Sequence, residues 1–478
     1  MTRKLLFLCN LAAMALAPMA AAAEDTDMQT TTTLRIYDEV VFYDGYNEYV
    51  FDAGLDDGIL RHRNSLYAIK LTDEQMDAFG DHTDMNITIG ALCDKYDRIG
   101  NINIAFVPKG RESYVAESDP LADNYDPTVQ RVEIGRFITP FMNMNKDPKS
   151  VPYSYTLDNL GLLMHDTNMR ALYDYWLEFE LFGIPYAANE QIAGCANRND
   201  VFTGTLEFVT TTPAAEANTT DIFIPIKMKL PEYNGHYNLN NYRETATDEL
   251  GKTIKSYYFT LDQDIADGML CLITSNHGAN SGGEEYNRRD HYVYIDDELV
   301  LTYKPGRTSC EPFRKYNTQA NGIYGYFKKN DETWQSFSNW CPGDVIDNRF
   351  IRMGAVSQGT HKVTISVPDA VFNGGQGDIP VSLYFQGVTE GALPEMSGIN
   401  EPTMDAAIDF AVRNGIVTFA TTDATALGIE LRDVAGRLLD AQWATGISSY
   451  DASAQPKGVY LLNVVLDNGY TVTHKFAN

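Results

Sequence analysis

The residues of this chain best suited to chemistry are carboxylates set among arginines and aromatics. One block reads Cys93-Asp94-Lys95-Tyr96-Asp97-Arg98, and a second, Glu133 to Phe141, reads Glu-Ile-Gly-Arg-Phe-Ile-Thr-Pro-Phe. Later come Thr274-Ser275-Asn276-His277-Gly278 and Gly283-Glu284-Glu285-Tyr286-Asn287-Arg288-Arg289-Asp290-His291. A carboxyl does proton work near neutrality only if its pKa is shifted. Burial or a neighbouring carboxylate raises it, and an arginine lowers it. Two acids in unlike surroundings can therefore divide the roles of proton donor and proton acceptor. Aromatic faces suit the apolar C–H side of a pyranose ring, so Tyr96, Tyr286 and Trp340 are candidates for stacking on sugar, with core packing the competing account. Taken singly, Asp97-Arg98 also reads as a surface ion pair at a strand end, and Glu133–Phe141 as an amphipathic strand. Side chains of adjacent strand residues point to opposite faces, so Arg98 need not be the partner of Asp97. The eight histidines are scattered without an H-x-H or H-E-x-x-H pattern, and neither a metal at His277 or His291 nor any cofactor is expected.

The elements that must position these groups are strands. Short alternating segments recur at Asn101–Phe106, Thr205–Val209, His291–Ile295 and His361–Val367, a period of two rich in β-branched and aromatic residues. Turn signals at Asp44-Gly45, Asp57-Gly58, Asp267-Gly268 and Asn373-Gly374-Gly375 punctuate them. Helical periodicity is scarce, and the expectation is antiparallel sandwiches. At 478 residues the chain is too long for one core, since single cores stop growing at roughly 250 to 300 residues. A polar stretch from Thr210 to Thr220 and a break near Leu393-Pro394 set the expected domains at 24–212, 213–392 and 393–478.

Arg3-Lys4, an apolar run from Leu5 to Met19 and four alanines before Glu24 read as a secretory signal peptide over residues 1–23. No other stretch approaches the ~20 apolar residues a spanning helix needs. The net charge is −28, and cleavage would make it more negative, which speaks against nucleic acid and anionic membrane surfaces as partners. Export would carry five cysteines (Cys93, Cys195, Cys271, Cys310, Cys341) into an oxidising compartment, and the odd count leaves at least one thiol over. The expected location is the periplasm, the outer cell surface or the medium.

In their order, the blocks Cys93–Arg98 and Glu133–Phe141 resemble the signature of the peptide-N-glycosidase F family. The segment Gly283–His291 and the block Asn339-Trp340-Cys341-Pro342-Gly343 are similar to its second-domain elements, so the resemblance covers roughly residues 33–390. It implies two adjacent antiparallel jelly rolls with the active site at their junction. Residues Gly428–Leu438, Pro456–Val464 and the ending His474-Lys475-Phe476 resemble the C-terminal sorting domain of the type IX secretion route of Bacteroidetes. That implies a small immunoglobulin-like β-sandwich addressed to the secretion machinery; a small module that merely packs on the body is the alternative.

The activity implied is hydrolysis of the amide between N-acetylglucosamine and asparagine in N-glycoproteins and glycopeptides, by a monomeric amidase. Asp97 matches the family's essential aspartate, as the base that activates water or as the attacking group. Glu285 matches the second-domain glutamate that holds the sugar, with Glu284 less favoured by its spacing to Arg289 and His291. The third acid falls in Trp176-Leu177-Glu178-Phe179-Glu180, where Glu178 is preferred over Glu180, although both have the same parity. Arg98, Tyr96, Trp176, Glu180, His277, Tyr286, Arg289 and Trp340 are the implied substrate contacts. The chain departs from the family at Gly283 and Asn287, where a bridged cysteine pair is missing, and at Phe337, where an arginine is missing that Arg314, Lys315 or Arg349 could replace. Cys195 is expected to bridge Cys93, Cys310 to bridge Cys341, and Cys271 to be a buried thiol. A glycan-binding protein with lost chemistry and a glycosidase with its acids ~5 to 9 Å apart are the competing functions.

Overall fold

The computed structural model describes residues 31–478 except 48–53, 112–128, 214–216, 228–235, 244–248, 280–282, 337–338, 373–376, 397–407, 414, 422–424, 434–436 and 467–470. The signal-peptide reading, Phe337 and the turn at Asn373-Gly374-Gly375 lie outside the described residues. Among the described residues no helix is long and apolar enough to cross a membrane.

The protein is nearly all β, with two adjacent antiparallel sandwiches of jelly-roll type and a smaller third one. In the first, a four-stranded sheet in the order Thr31–Tyr43, Asp200–Thr211, Thr83–Ala91, Ser150–Thr156 faces a six-stranded sheet. The six-stranded order is Val345–Ile346, Gln130–Ile138, Ile99–Pro108, Tyr173–Leu181, Leu66–Lys70, Ile59–Arg63. The outer strand Ser150–Thr156 alternates buried and exposed residues, as a sheet with one wet face must. Ile99–Pro108 and Gln130–Ile138 are buried on both faces. Ile102, Ile104 and Phe106 enter the sandwich core, while Asn101 and Asn103 on the opposite face bond to Glu133 and Glu178.

In the second sandwich, Ile222–Lys227, Asp378–Val388, Ile265–Thr274 and Arg349–Val356 form one sheet, with Tyr237–Asn241 also paired to Asp378–Val388. Ile254–Leu261, Gly359–Ser366, His291–Ile295 and Glu298–Tyr303 form the other. The turn expected at Asp267-Gly268 is instead a bulge inside the strand Ile265–Thr274, with register shifts on both sides of Gly268. A Cβ there would come within 2.5 Å of the Phe385 ring, so the glycine admits an aromatic from the next strand rather than reversing the chain. The third domain pairs Ile408–Arg413, Ile416–Thr421 and Ser449–Asp451 in one sheet. Leu438–Trp443, Ala426–Asp433, Val459–Leu466 and Thr471–Ala477 form its other sheet.

The first two sandwiches share packing. Phe223, Met269, Cys271, Phe350 and Tyr384 of the second belong to the same hydrophobic cluster as Phe106 and Tyr175 of the first. Polar contacts cross the same boundary: Arg136 donates to Ser275 Oγ at 2.7 Å and to the Pro380 carbonyl at 3.2 Å, and Ser382 bonds to Glu133. Val345–Ile346, from the second half of the chain, completes the edge of the first sandwich's sheet beside Gln130–Ile138. Cys93 is bonded to Cys195 and Cys310 to Cys341, and the Cys271 thiol is buried.

Candidate active site

Ala91 ends one strand and Ile99 begins the next, and the connection between them carries the first acidic block. Asp97 and Arg98 therefore sit on a loop, not on a strand, and Arg98 pairs with Asp94 at 2.7 Å. Asp94 is fully buried and acts as the loop's internal anchor, also accepting from the Tyr96 and Ile184 amides. The second block clamps the loop from the neighbouring strand. The Thr139 hydroxyl accepts from the Arg98 amide at 2.7 Å and donates to the Tyr96 carbonyl at 3.1 Å, and the Thr139 amide donates to the Arg98 carbonyl. Asp97 is thus flanked on both sides by fixed backbone.

Glu133 and Arg136 of that block form a fully buried ion pair at 2.7 Å, directed at the second sandwich. Gly135 between them packs closely under Met85 and Tyr155, and a Cβ there would displace the Met85 methyl, 2.6 Å away. Gly100 serves similarly: Phe137 lies across it from the paired strand.

The second acid comes from the other sandwich. Glu285 is 8% exposed and accepts from the Gly278 amide at 3.1 Å and from the Tyr286 hydroxyl. Its loop is fastened without a disulfide. The Asn339 side-chain amide donates to the carbonyls of Glu284 and Glu285, and the Asn287 side chain donates to the Gly283 carbonyl. Asp97, Glu285, Tyr96, Arg98, His277 and Tyr286 line one cavity of about 790 Å³ at the junction. A second cavity of about 550 Å³ adjoins it across Tyr96, Phe141 and Tyr286 and reaches Gln319–Ile323.

Electrostatics in the cavity favour one held proton. Burial and the Glu285 carboxylate push the Asp97 carboxyl from 3.8 to about 7, against the lowering pull of Arg98. Burial raises Glu285 as well, with Asp378 adding to the rise and Tyr286 and the Gly278 amide opposing it. Burial also raises Asp378. Burial and nearby Arg136 push His277 down to about 3, so its ring is neutral; it bonds to Ser275 at 2.7 Å.

Other residues singled out from the sequence lie elsewhere. Glu178 is ion-paired with Arg131 at 2.9 Å and Glu180 with Arg63, on the face of the six-stranded sheet opposite the core. They share that face, as their parity requires, and neither lines the junction cavity. Trp176 packs with Leu66, Ala68 and Ala105 in a satellite cluster. Trp340 is 4% exposed, donates to the Asn276 carbonyl and backs His277 at 5.9 Å between ring centres. Arg289 holds Glu284 at 2.8 Å, away from the cavity, and Glu285 lines it. Arg314 is bound to Glu311 and to loop carbonyls, and Arg349 stacks on Tyr303. Sequence reasoning missed Asn238, Asn241, Arg243 and Asp378 on the cavity wall. Asn238 and Asn241 belong to the strand Tyr237–Asn241, Arg243 to the turn after it, and Asp378 bridges His277, pairings that leave no local motif. Among the described residues no group of three or more His, Cys, Asp and Glu side chains is arranged to hold a metal ion.

Fold and site together define a double-sandwich protein with an acidic cleft at its domain junction. Residues 33–196 match the family "Peptide-N-glycosidase F, N terminal" and residues 241–386 match "Peptide-N-glycosidase F, C terminal", together well over half of the chain. The chain belongs to the peptide-N-glycosidase F family. Among solved structures it resembles PNGF-II, with 17% identity and a TM-score of 0.53 over 75% of this chain and 66% of that one. It spans just under two thirds of that relative's length. A glycosylasparaginase, PNGase F from Flavobacterium meningosepticum, aligns at 15% identity and a TM-score of 0.42 over 76% of this chain and 98% of that one. No curated protein sequence matches the chain.

Proposed function

We propose that the protein hydrolyses the amide joining N-acetylglucosamine to asparagine and releases intact N-glycans from glycoproteins or glycopeptides. The observation that carries this reading is the meeting of Asp97, from one sandwich, with Glu285, from the other, in a single cavity. Asp97, poised at about 7, is the base that takes a proton as water adds to the side-chain carbonyl. The carbon–nitrogen bond then breaks and the nitrogen leaves protonated. The peptide keeps an aspartate, and the sugar leaves as a glycosylamine that loses ammonia to water. Glu285, held by the Gly278 amide and Tyr286, binds the first sugar, directly or through water. Tyr96 and Tyr286 offer ring faces to it. Arg98 orients the loop through Asp94.

The type IX route and export remain part of this proposal. They are supported by the leader composition, the two disulfides, and a C-terminal sandwich whose strand Val459–Leu466 directly follows Gly458 in the motif Gly458-Val459-Tyr460. A binding-only reading draws on the position of Glu178 and Glu180, both engaged by arginines away from the cavity. One experiment separates the readings: incubate a denatured glycopeptide with the protein and follow both products by mass. Conversion of Asn to Asp with the whole glycan released is expected. A retained N-acetylglucosamine would indicate a glycosidase, and an unchanged peptide a binder.

A further inference from the structure

The third domain is keyed into the second sandwich at the segment that continues from Glu285. Arg432, on the strand Ala426–Asp433, is 2% exposed although it is a full cation. Its guanidinium reaches Asp290 at 3.3 Å and Asp369 at 3.7 Å on the second sandwich, besides Glu430 at 2.9 Å on its own strand, and it lies over the Tyr292 ring at 5.3 Å. Asn463 donates to the Tyr292 hydroxyl, and Leu461 packs with Tyr292 and Tyr294. A buried cation with carboxylates from two domains is a specific contact, because removing either side strands charge out of water.

The two acids on the body side are placed for a purpose. Asp290 ends the loop that starts at Gly283. Asp369 belongs to the turn before Val371, whose amide donates to the Glu284 carboxylate at 3.0 Å, and Asp369 also lies near Arg289, the other partner of Glu284. Arg432 therefore ties together the far end of the Glu285 loop, at Asp290, and the turn that grips its beginning, at Glu284. This is the loop in which the sequence has Gly283 and Asn287 instead of a cysteine pair.

We infer that the C-terminal domain braces the Glu285 loop and that Arg432 is the positioning residue through which it does so. The inference rests on Glu285 serving the proposed amidase site. The terminal domain is then a working part of the folded enzyme as well as any address it carries.

The test uses the full chain with Arg432→Met, which keeps an unbranched aliphatic stem and removes the guanidinium and its charge. Hydrogen exchange of amides 283–291 is expected to quicken at least tenfold while the strand Val459–Leu466 stays protected. KM for a glycopeptide is expected to rise several-fold with a smaller fall in kcat, and Arg432→Lys to recover part of both. Unchanged exchange at 283–291 with the terminal domain still folded would overturn the brace. If Arg432→Met unfolds that domain, Asp369→Asn asks the same question from the body side, and wild-type exchange at 283–291 there counts against the proposal. Exchange reads the brace whether or not the wild type cleaves glycopeptides, so failure of the amidase reading shows up separately, in activity alone.

Discussion

Asp97 carries the sharpest expectations at the scale of a residue. As the proposed base it must be ionised to work, so kcat/KM should rise with pH through an apparent pKa of about 7. Asp97→Asn should remove activity with little change in fold; retention of full rate would mean that another group takes the proton. Stability follows the opposite trend. Folding raises this pKa above that of the unfolded chain, so the native state holds the proton more tightly. The resulting cost is absent below about pH 4, grows between pH 4 and 7, and is complete above. Asp97→Asn should therefore unfold at higher temperature than wild type at pH 8 and at the same temperature at pH 3.5. A gain of ~2 kcal/mol is a fair scale for relieving one poorly solvated carboxylate. Thermal melts of the two proteins at both pH values check the sign.

At the scale of elements, the strand Gln130–Ile138 and its extension to Phe141 hold the site together. Thr139→Val keeps the shape and deletes the hydroxyl that bonds the Arg98 amide and the Tyr96 carbonyl. Leaving those two groups unpartnered should cost ~1–3 kcal/mol. Loosening the Asp97 loop should lower kcat about tenfold or more, since small misplacements of a reacting group are costly. A calorimetric melt with a rate assay measures both, and wild-type values for each would show that the clamp is dispensable. The sequence made this strand visible, along with its neighbour Ile99–Pro108, because alternation and a recognisable block coincide. It also pointed to the bridge between Cys93 and Cys195, which closes 102 residues and is worth up to about 4.7 kcal/mol in the chain-entropy view. Cys195→Ser should lower the melting point, with Asp94 and Ile184 the first contacts loosened. What the sequence hid has a physical cause. Strand parity showed that Glu178 and Glu180 share a face but not which neighbours that face meets. Arg131 and Arg63 are far away in sequence. Asn238, Arg243 and Asp378 reach the cavity only through long-range pairing, and the bulge at Gly268 looked like a turn because glycine after aspartate serves either purpose.

At the scale of the molecule, the decisive feature is that the two sandwiches are not independent bodies. Their apolar cluster is continuous, and Glu133 and Arg136 sit within the seam with no exposure at all. Such a pair adds little net stability when intact, because desolvation offsets attraction, yet losing one partner leaves a buried charge and costs ~3–5 kcal/mol. Arg136→Met strands Glu133 and also withdraws donors from Ser275 and the Pro380 carbonyl. The expected result is a large fall in melting temperature that affects both sandwiches together, as one cooperative transition. Adding Glu133→Gln should restore part of the loss, since the uncompensated charge is then gone while the polar contacts to Asn101 and Ser382 can persist. Hydrogen exchange on strands Ile102–Phe106 and Leu270–Ile273 would show whether both sides open with the same free energy. If one sandwich melts alone while the other keeps its protection, the seam does not couple them. The joining of Asp97 to Glu285 would then depend on the ligand rather than on the fold.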